Sequence, residues 1–572
     1  PCSVLAMDDE KIQPMWITTI VPIICLLSVI DPAGGVLCPF GCKCENEILR
    51  ANCSGAGIEV VPIQLNPELH TMDLANNKIV QLHYTFSFYE KLITLDISRN
   101  KIKSLGNGNF RTQRTLKYLN LSSNLIESLG KETFEGLKQC THLDLSYNQL
   151  ESIVPNSFKE LPMLEVLKVN GNQLDYFEDG LFESNTNLQE LHLDDNSFME
   201  IPGALSDLLR LKYLSLSRNL IETIEEKKVP NLPELHTLML MQNIIFDIKE
   251  AAFASLPKLD RLDLSDNNLT TLPTAQLAKL SRLTNLKISG NSFQSLPAVA
   301  FRGLFHLKYL SLNQLEYLEY IDGRAFVDNI KLEKVSMDYN IKIRKLPTRL
   351  FHGNPKLRYI SVRYNSIKTL EASHFPLDQL TELKVGGNPL ECNCSMGWLW
   401  NLLRETEIKA GTNSSHTVET TTPNPIFAKK TNDLKLDVND VTCVSPEDLN
   451  GKKLIQASQS QMDCSIGWVA IVSVSSTLIF ILAIIAGVLF FVPKRKTKKG
   501  IEKELPKIVR PSCYNLPPPC PPPRKATPYE FGQVEKYKHV PLWDTYAQQC
   551  NGSMNIYDQL NDTRERPHIV YV

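Results

Sequence analysis

Leucine and asparagine recur along this chain in a single phase. The pattern L-x-x-L-x-L-x-x-N-x-L is met fourteen times, with asparagine at 77, 100, 124, 148, 172, 196, 219, 243, 267, 291, 340, 365 and 388, and Leu315 where the remaining one belongs. The step is 23 to 25 residues, and a phenylalanine returns about ten places after many of the asparagines, as in Phe110, Phe134, Phe158, Phe182, Phe253 and Phe301. Within Leu116-Lys117-Tyr118-Leu119-Asn120-Leu121, a period of two sends Leu119 and Leu121 to one side and Tyr118 and Asn120 to the other. Each repeat is therefore expected to supply one short strand. No repeat buries its leucines alone, so neighbours are expected to stack as a parallel sheet at roughly 4.8 Å per strand, on the order of 65 Å in all.

This pattern resembles the leucine-rich-repeat family over roughly residues 38 to 464. The resemblance implies an α/β solenoid, a curved horseshoe with the parallel sheet on its concave face. It implies too that the asparagines form a ladder on the backbone of the turn after each strand, a structural duty and not a catalytic one. Leu315 breaks that ladder, and with the irregular Asn340-Ile341-Lys342-Ile343 it marks repeats 11 and 12 as the place of an expected kink. The apolar ends of an open stack need covering. Cys38-x3-Cys42-x-Cys44-x8-Cys53 at one end, and Cys392-x-Cys394 with Trp398, Leu399, Cys443 and Cys464 at the other, resemble the family's caps. The resemblance implies bonds from Cys38 to Cys44, Cys42 to Cys53, Cys392 to Cys443 and Cys394 to Cys464. Spacing alone leaves the connectivity open, and a zinc site is the competing reading of these cysteines. Cys140 stands in a core leucine position, where a buried free thiol is expected.

The clustering of eight of the 14 cysteines in those two groups points to an oxidising compartment. Net charge does not point to any partner: 61 basic and 63 acidic side chains leave −2. Two apolar stretches give a route outside the cell. From Trp16 to Ile30 runs a short one ending in Asp31-Pro32-Ala33-Gly34-Gly35, read as a signal peptide cleaved before Val36, although Asp8, Asp9 and Glu10 outweigh Lys11 on its flank; a retained anchor or buried helix is the alternative. From Ile466 to Val492 run 27 residues without a charge, enough for a transmembrane helix. Lys494, Arg495, Lys496, Lys498 and Lys499 follow and assign the far end to the cytoplasm. The expected plan is an N-terminal extension with signal peptide (1–35), a cysteine cap (36–66), repeats (67–390), a second cap carrying an inserted loop (391–464), the membrane helix (466–492) and a disordered tail (493–572). Such a chain is a single-pass type I plasma-membrane protein with its N-terminus outside.

Nothing in the repeats supports an enzyme: histidines are scattered, G-x-S-x-G and H-E-x-x-H are missing, and no carboxylate pair converges. No cofactor or metal is expected. The candidates for binding are the outward positions of the sheet. One column runs Asp73, Asp96, Asn120, Asp144, Lys168, His192, Ser215, Met239, Asp263, Lys287 and onward to Lys384, and a flanking one carries Tyr118, Tyr213, Tyr309 and Tyr359. A glycan on the sequon Asn120-Leu121-Ser122 is expected to shield the first repeats. That moves the candidate contact surface to Tyr213, Met239 and Met241, with His192 and Arg261 at its edge. Simple side-by-side packing on the sheet is the equal alternative. Asn52, Asn268, Asn393 and Asn413 begin further sequons, the last in a Thr- and Pro-rich loop read as flexible and glycosylated.

The tail is rich in proline and polar residues and too poor in apolar pattern for a domain. Pro519-x-x-Pro522-x-Arg524 fits a ligand of polyproline-binding domains, Tyr557-Asp-Gln-Leu560 an endocytic sorting signal, and Val570-Tyr571-Val572 a strand added to a PDZ domain. The order of parts resembles the Capricious and Tartan type of recognition proteins. That resemblance implies cell adhesion or cell–cell recognition through an extracellular or cell-surface protein ligand, homophilic contact included. A receptor or co-receptor for a secreted protein in immune or growth signalling is the rival.

Overall fold

The computed structural model describes residues 38–411, 434–462 and 468–491. Fourteen three-residue strands, from Thr71–Asp73 to Glu382–Lys384, sit at the fourteen leucine triplets and pair in parallel with no register shift. Arg50–Asn52 adds a parallel strand before them, Lys43–Glu45 closes that edge antiparallel, and Lys435–Leu436 lies beside the last repeat, giving 17 strands in one sheet. Each middle residue is buried, and the first and third residues turn to the other face, as alternation requires; most of them are at least partly exposed, while Ser215, Asp263 and Ser361 are buried there.

The asparagine ladder is built as two interlocked half-ladders. Asn243 accepts the Ile221 N–H on Oδ1 (3.1 Å) and donates through Nδ2 to the carbonyls of Leu216 (2.9 Å), one turn back, and Leu240 (3.1 Å), in its own turn. Leu216 O already receives Asn219 (3.0 Å), and Leu240 O also receives Asn267 (3.0 Å). From Asn77 to Asn291, consecutive asparagines thus share one carbonyl. A second row lies on the opposite side of the core, where Phe134, Phe158 and Phe182 stack at centroid distances of 6.1 and 6.0 Å, and Phe301, Phe326, Phe351 and Phe375 at 5.9, 5.8 and 6.4 Å. Buried Asn185, Asn329 and Asn354 tie that row together by donating to backbone carbonyls one turn back.

At repeats 11 and 12, where a kink is expected, the pairing keeps its register. Tyr309–Ser311 joins both neighbours in register, and behind it Ser295–Leu296 pairs with Tyr320–Ile321. The shared carbonyls account for this. Leu312 O receives Asn340 (3.0 Å), Ile288 O keeps Asn291 (3.1 Å), and the Leu315 N–H donates to Asn340 Oδ1 (2.7 Å), while the Leu315 side chain fills its place fully buried. Asn313 adds a lateral brace: its N–H donates to Ser289 Oγ (3.0 Å), and its Oδ1 accepts from Ser336 Oγ (2.9 Å) and the Asp338 N–H (2.8 Å).

Both ends are stapled. Cys38 bonds Cys44, Cys42 bonds Cys53, and Cys392 bonds Cys443 across 51 positions. Cys394 is disulfide-bonded as well, and Cys464, expected as its partner, lies outside the described residues. In the C-terminal cap, helix α1 (Gly397–Gly411) buries Leu399 and Leu403, while the indoles of Trp398 and Trp400 donate to Leu370 O (3.0 Å) and Ala457 O (3.1 Å). Cys140 is fully buried and free, and burial pushes its thiol up to about 12, so it stays protonated and inert.

Repeats and caps belong to one compact unit that ends at Val474. Helix α2 (Trp468–Phe491) has 24 residues and no charged side chain. Taken over the described side chains, no helix is long and apolar enough to cross a membrane.

Candidate functional site

Register decides which outward side chains meet. Tyr118 and His142 are 24 positions apart but stand opposite one another on neighbouring strands, and their rings lie 4.5 Å apart, tilted by 34°. Around this pair is a concavity of about 170 Å³ lined by Thr94, Asp96, Tyr118, His142, Asp144 and Lys168, among others. Its polar groups are held in place. Asn120 Nδ2 donates to Asp96 Oδ2 (2.9 Å), Thr141 Oγ1 bonds His142 Nδ1 (2.9 Å), and Lys168 sits 4.0 Å from Asp144. The floor is apolar, formed by Leu95, Leu119 and Leu143. An oriented rim around an aromatic pair on a rigid sheet suits a protein side chain.

Of the residues singled out from sequence, His192 and Tyr213 are in contact, ring centroids 4.8 Å apart. Burial lowers the His192 imidazole below its ordinary value and raises the Tyr213 phenol, so both are neutral near pH 7. Met239 follows in the same row, in register with Ser215 and through it with His192. Arg261 stands one strand further, exposed, 3.8 Å from Asp260. Met241 lies past the strand and, like Met239 and Tyr213, is half-buried, not fully presented. The five residues form one band across neighbouring strands, in which the His192 and Tyr213 rings touch. The concavity lies instead over the repeats that a glycan on Asn120 was expected to shield.

Of the sequons, Asn268 and Asn393 are exposed, while Asn52 and Asn120 are half-buried. Asn393 Oδ1 accepts from the Ser395 N–H (2.9 Å) and Asn52 Oδ1 from the Ser54 N–H (2.9 Å), each in a turn beside a cap cysteine. Asn413, the signal segment and the tail motifs at Pro519, Pro522, Arg524, Tyr557, Leu560, Val570 and Val572 lie outside the described residues.

At the far end of the face the outward residues serve the fold. The Arg363 guanidinium pairs with Asp437 (3.4 Å) and Asp440, and Asp437 accepts the N–H groups of Val385 (3.0 Å) and Gly386 (2.6 Å), which ties the cap to the last repeats. Lys334 and Lys384 stand 4.0 and 5.4 Å from the Tyr359 ring centroid, a cation–π sandwich.

A family model described as Leucine rich repeat matches residues 67–125, 114–174, 164–221, 233–293, 281–341 and 330–390, more than half of the chain. Pig (Sus scrofa) biglycan is 31% identical over 97 residues, 17% of this chain and 34% of biglycan. Human (Homo sapiens) oligodendrocyte-myelin glycoprotein is 32% identical over 84 residues, 14% of this chain and 19% of that protein. The chain thus spans about a third or less of the length of these curated relatives. Among solved structures, the Drosophila Toll–Spatzle complex contains a similar chain, with a TM-score of 0.54 at 21% identity, covering 71% of this chain and 59% of that one. The LRIM1/APL1C complex gives 0.47 at 19% identity, covering 78% and 77%.

Proposed function

The chain belongs to the leucine-rich-repeat family, and from that premise we propose that it is a cell-surface receptor whose repeat sheet recognises a protein ligand in cell adhesion or cell–cell recognition. The observation that carries this reading is the oriented aromatic face: Tyr118 against His142, and His192 against Tyr213, on one in-register sheet. The binding surface runs from the concavity at Tyr118 and His142 through His192 and Tyr213 to Met239. Disulfides at both ends support an oxidising, extracellular setting. The uncharged run from Ile466 to Val492 supports a membrane crossing on sequence grounds: 27 residues would reach about 40 Å as a helix at 1.5 Å per residue, against about 30 Å of hydrocarbon. Its Leu478, Ile479, Phe480, Ile481 and Leu482 are all exposed, as lipid-facing side chains are. The proposed orientation is type I, with the basic run after α2 inside, where polyproline-binding or PDZ adaptors would meet the tail.

Two experiments on the full chain test this. An epitope inserted within residues 412–433 is expected to stain on intact cells, and one placed after Val572 only after permeabilisation; the reverse pattern removes the receptor reading. In a cell-aggregation assay, expressing cells are expected to cluster, with themselves or with partner cells. The Tyr118→Ala/Tyr213→Ala variant, at equal surface level, is expected to lose about 2 kcal/mol or more of contact energy, roughly 30-fold in affinity. Clustering that is indifferent to the double variant sinks the proposed face. Expressing cells that capture a soluble protein but never cluster would favour the secreted-ligand receptor instead.

A further inference from the structure

The near-neutral chain hides two strongly charged stretches of equal length. Residues 143–256 carry 19 acidic and 8 basic side chains, whereas residues 257–370 carry 18 basic and 9 acidic ones. In the second stretch one position holds Lys, Arg or His in five consecutive repeats: Lys258, Arg282, His306, Lys331 and Lys356, each three residues before the strand's first residue. Those first residues, Arg261, Asn285, Tyr309, Lys334 and Tyr359, are in register with one another. The five side chains therefore begin from one line, about 4.8 Å apart. The equivalent positions of the five preceding repeats hold Gln139, Met163, Asn187, Arg210 and Glu234.

Most of this row is free to act. Lys258 is paired with Glu234 (2.6 Å), but Arg282, Lys331 and Lys356 make no ion pair among the described residues, and Arg358 beside them only caps the Leu357 carbonyl (3.2 Å). Phe305 and Ile330, each 51% exposed, project from the positions next to His306 and Lys331. A fixed-pitch line of cations with an exposed aromatic ring beside it matches a linear polyanion whose units also offer apolar faces.

We propose that this row binds a linear sulfated polysaccharide, laid across repeats 9–13 at the strand-start edge of the sheet. Sulfate and carboxylate groups pair with Arg282, Lys331, Lys356 and Arg358, and a sugar ring packs on Phe305. A protein partner would favour a cation-poor apolar centre with charge at its rim; here the cations form the row itself. The site is separate from the aromatic face at repeats 2–8, so either can fail without the other.

The test uses the full chain in non-ionic detergent. On immobilised heparin it is expected to elute at clearly higher salt than on a sulfopropyl resin of matched charge density, and the Arg282→Gln/Lys331→Gln/Lys356→Gln variant is expected to lose that excess. Its heparin affinity should fall roughly tenfold, with the log-affinity against log-salt slope flattened by about three, one per lost contact. The control variant Lys101→Gln/Lys103→Gln/Lys117→Gln removes three exposed lysines from repeats 2 and 3 and should bind heparin as the parent does. Equal elution from both resins, or equal loss in both variants, overturns the proposal. So does equal competition by phosphatidylserine vesicles, or salt-sensitive self-association with no preference for heparin, which would assign the row to the acidic stretch of a second copy.

Discussion

Replacing Asn243 and Asn267 together by leucine is expected to destabilise the repeats by more than the sum of the two single replacements, the excess being about 1–2 kcal/mol. The reason is the shared carbonyl. Leu240 O receives Asn243 Nδ2 at 3.1 Å and Asn267 Nδ2 at 3.0 Å, so either single change leaves it one donor and the double change leaves none. Each single variant loses its Nδ2 bonds and orphans one buried amide, Ile221 N–H or Ile245 N–H, for a cost of about 3 kcal/mol. Leu315 is the natural single variant, tolerated without a register change because each carbonyl that an asparagine there would share keeps one donor, Ile288 O from Asn291 and Leu312 O from Asn340. The control pair, Asn100→Leu with Asn243→Leu, shares no carbonyl and should add within about 0.5 kcal/mol. Denaturant unfolding followed by circular dichroism gives the cycle; additivity in the neighbouring pair would show that the sharing carries no energy.

This redundancy shows where sequence reasoning ran out. The strand triplets, the ladder asparagines and the phenylalanine row are legible because each is a periodic choice of side chain, and the periodicity fixes the face. Retention of register past Leu315 is not legible, because a carbonyl with two donors does not appear in a string of letters. Nor does the backbone of the residue before each ladder asparagine. Tyr147, Arg218 and Gln242 all lie there with φ between 54° and 56°, a left-handed conformation that Gly171 and Gly290 mark at the same position. The contact between Tyr118 and His142 was within reach, since both occupy the first place of consecutive triplets. The half-burial of Met239 and Met241 was not, since it depends on side-chain size across the row. Charge was hidden by summation, because −2 over the whole chain conceals two opposed stretches.

Removing the Cys392–Cys443 bond by double alanine replacement is expected to cost about 4 kcal/mol, from the chain entropy of closing a loop of that length. The bond spans 51 positions, against 11 for Cys42–Cys53, for which the same relation gives about 3 kcal/mol. The larger loop also holds the elements that end the core. Leu390–Glu391 pairs with Cys443–Ser445, α1 seats Leu399 and Leu403, and Asp437 is delivered to Arg363 and to the Gly386 N–H. Because each repeat touches only its neighbours, the loss is expected to be local. Hydrogen exchange should therefore quicken at Ile360, Ser361 and Leu383, in the last two repeat strands, while Leu119 and Leu143, near the other end, keep their protection. The Arg363→Ala variant should reproduce the same pattern more weakly, by about 2 kcal/mol, since it unpairs Asp437 and Asp440 but leaves the loop closed. Uniform quickening along all fourteen repeats would mean that the cap is a condition for the whole stack to fold. Unchanged exchange at Ser361 and Leu383 would mean that packing of α1 alone holds the cap in place.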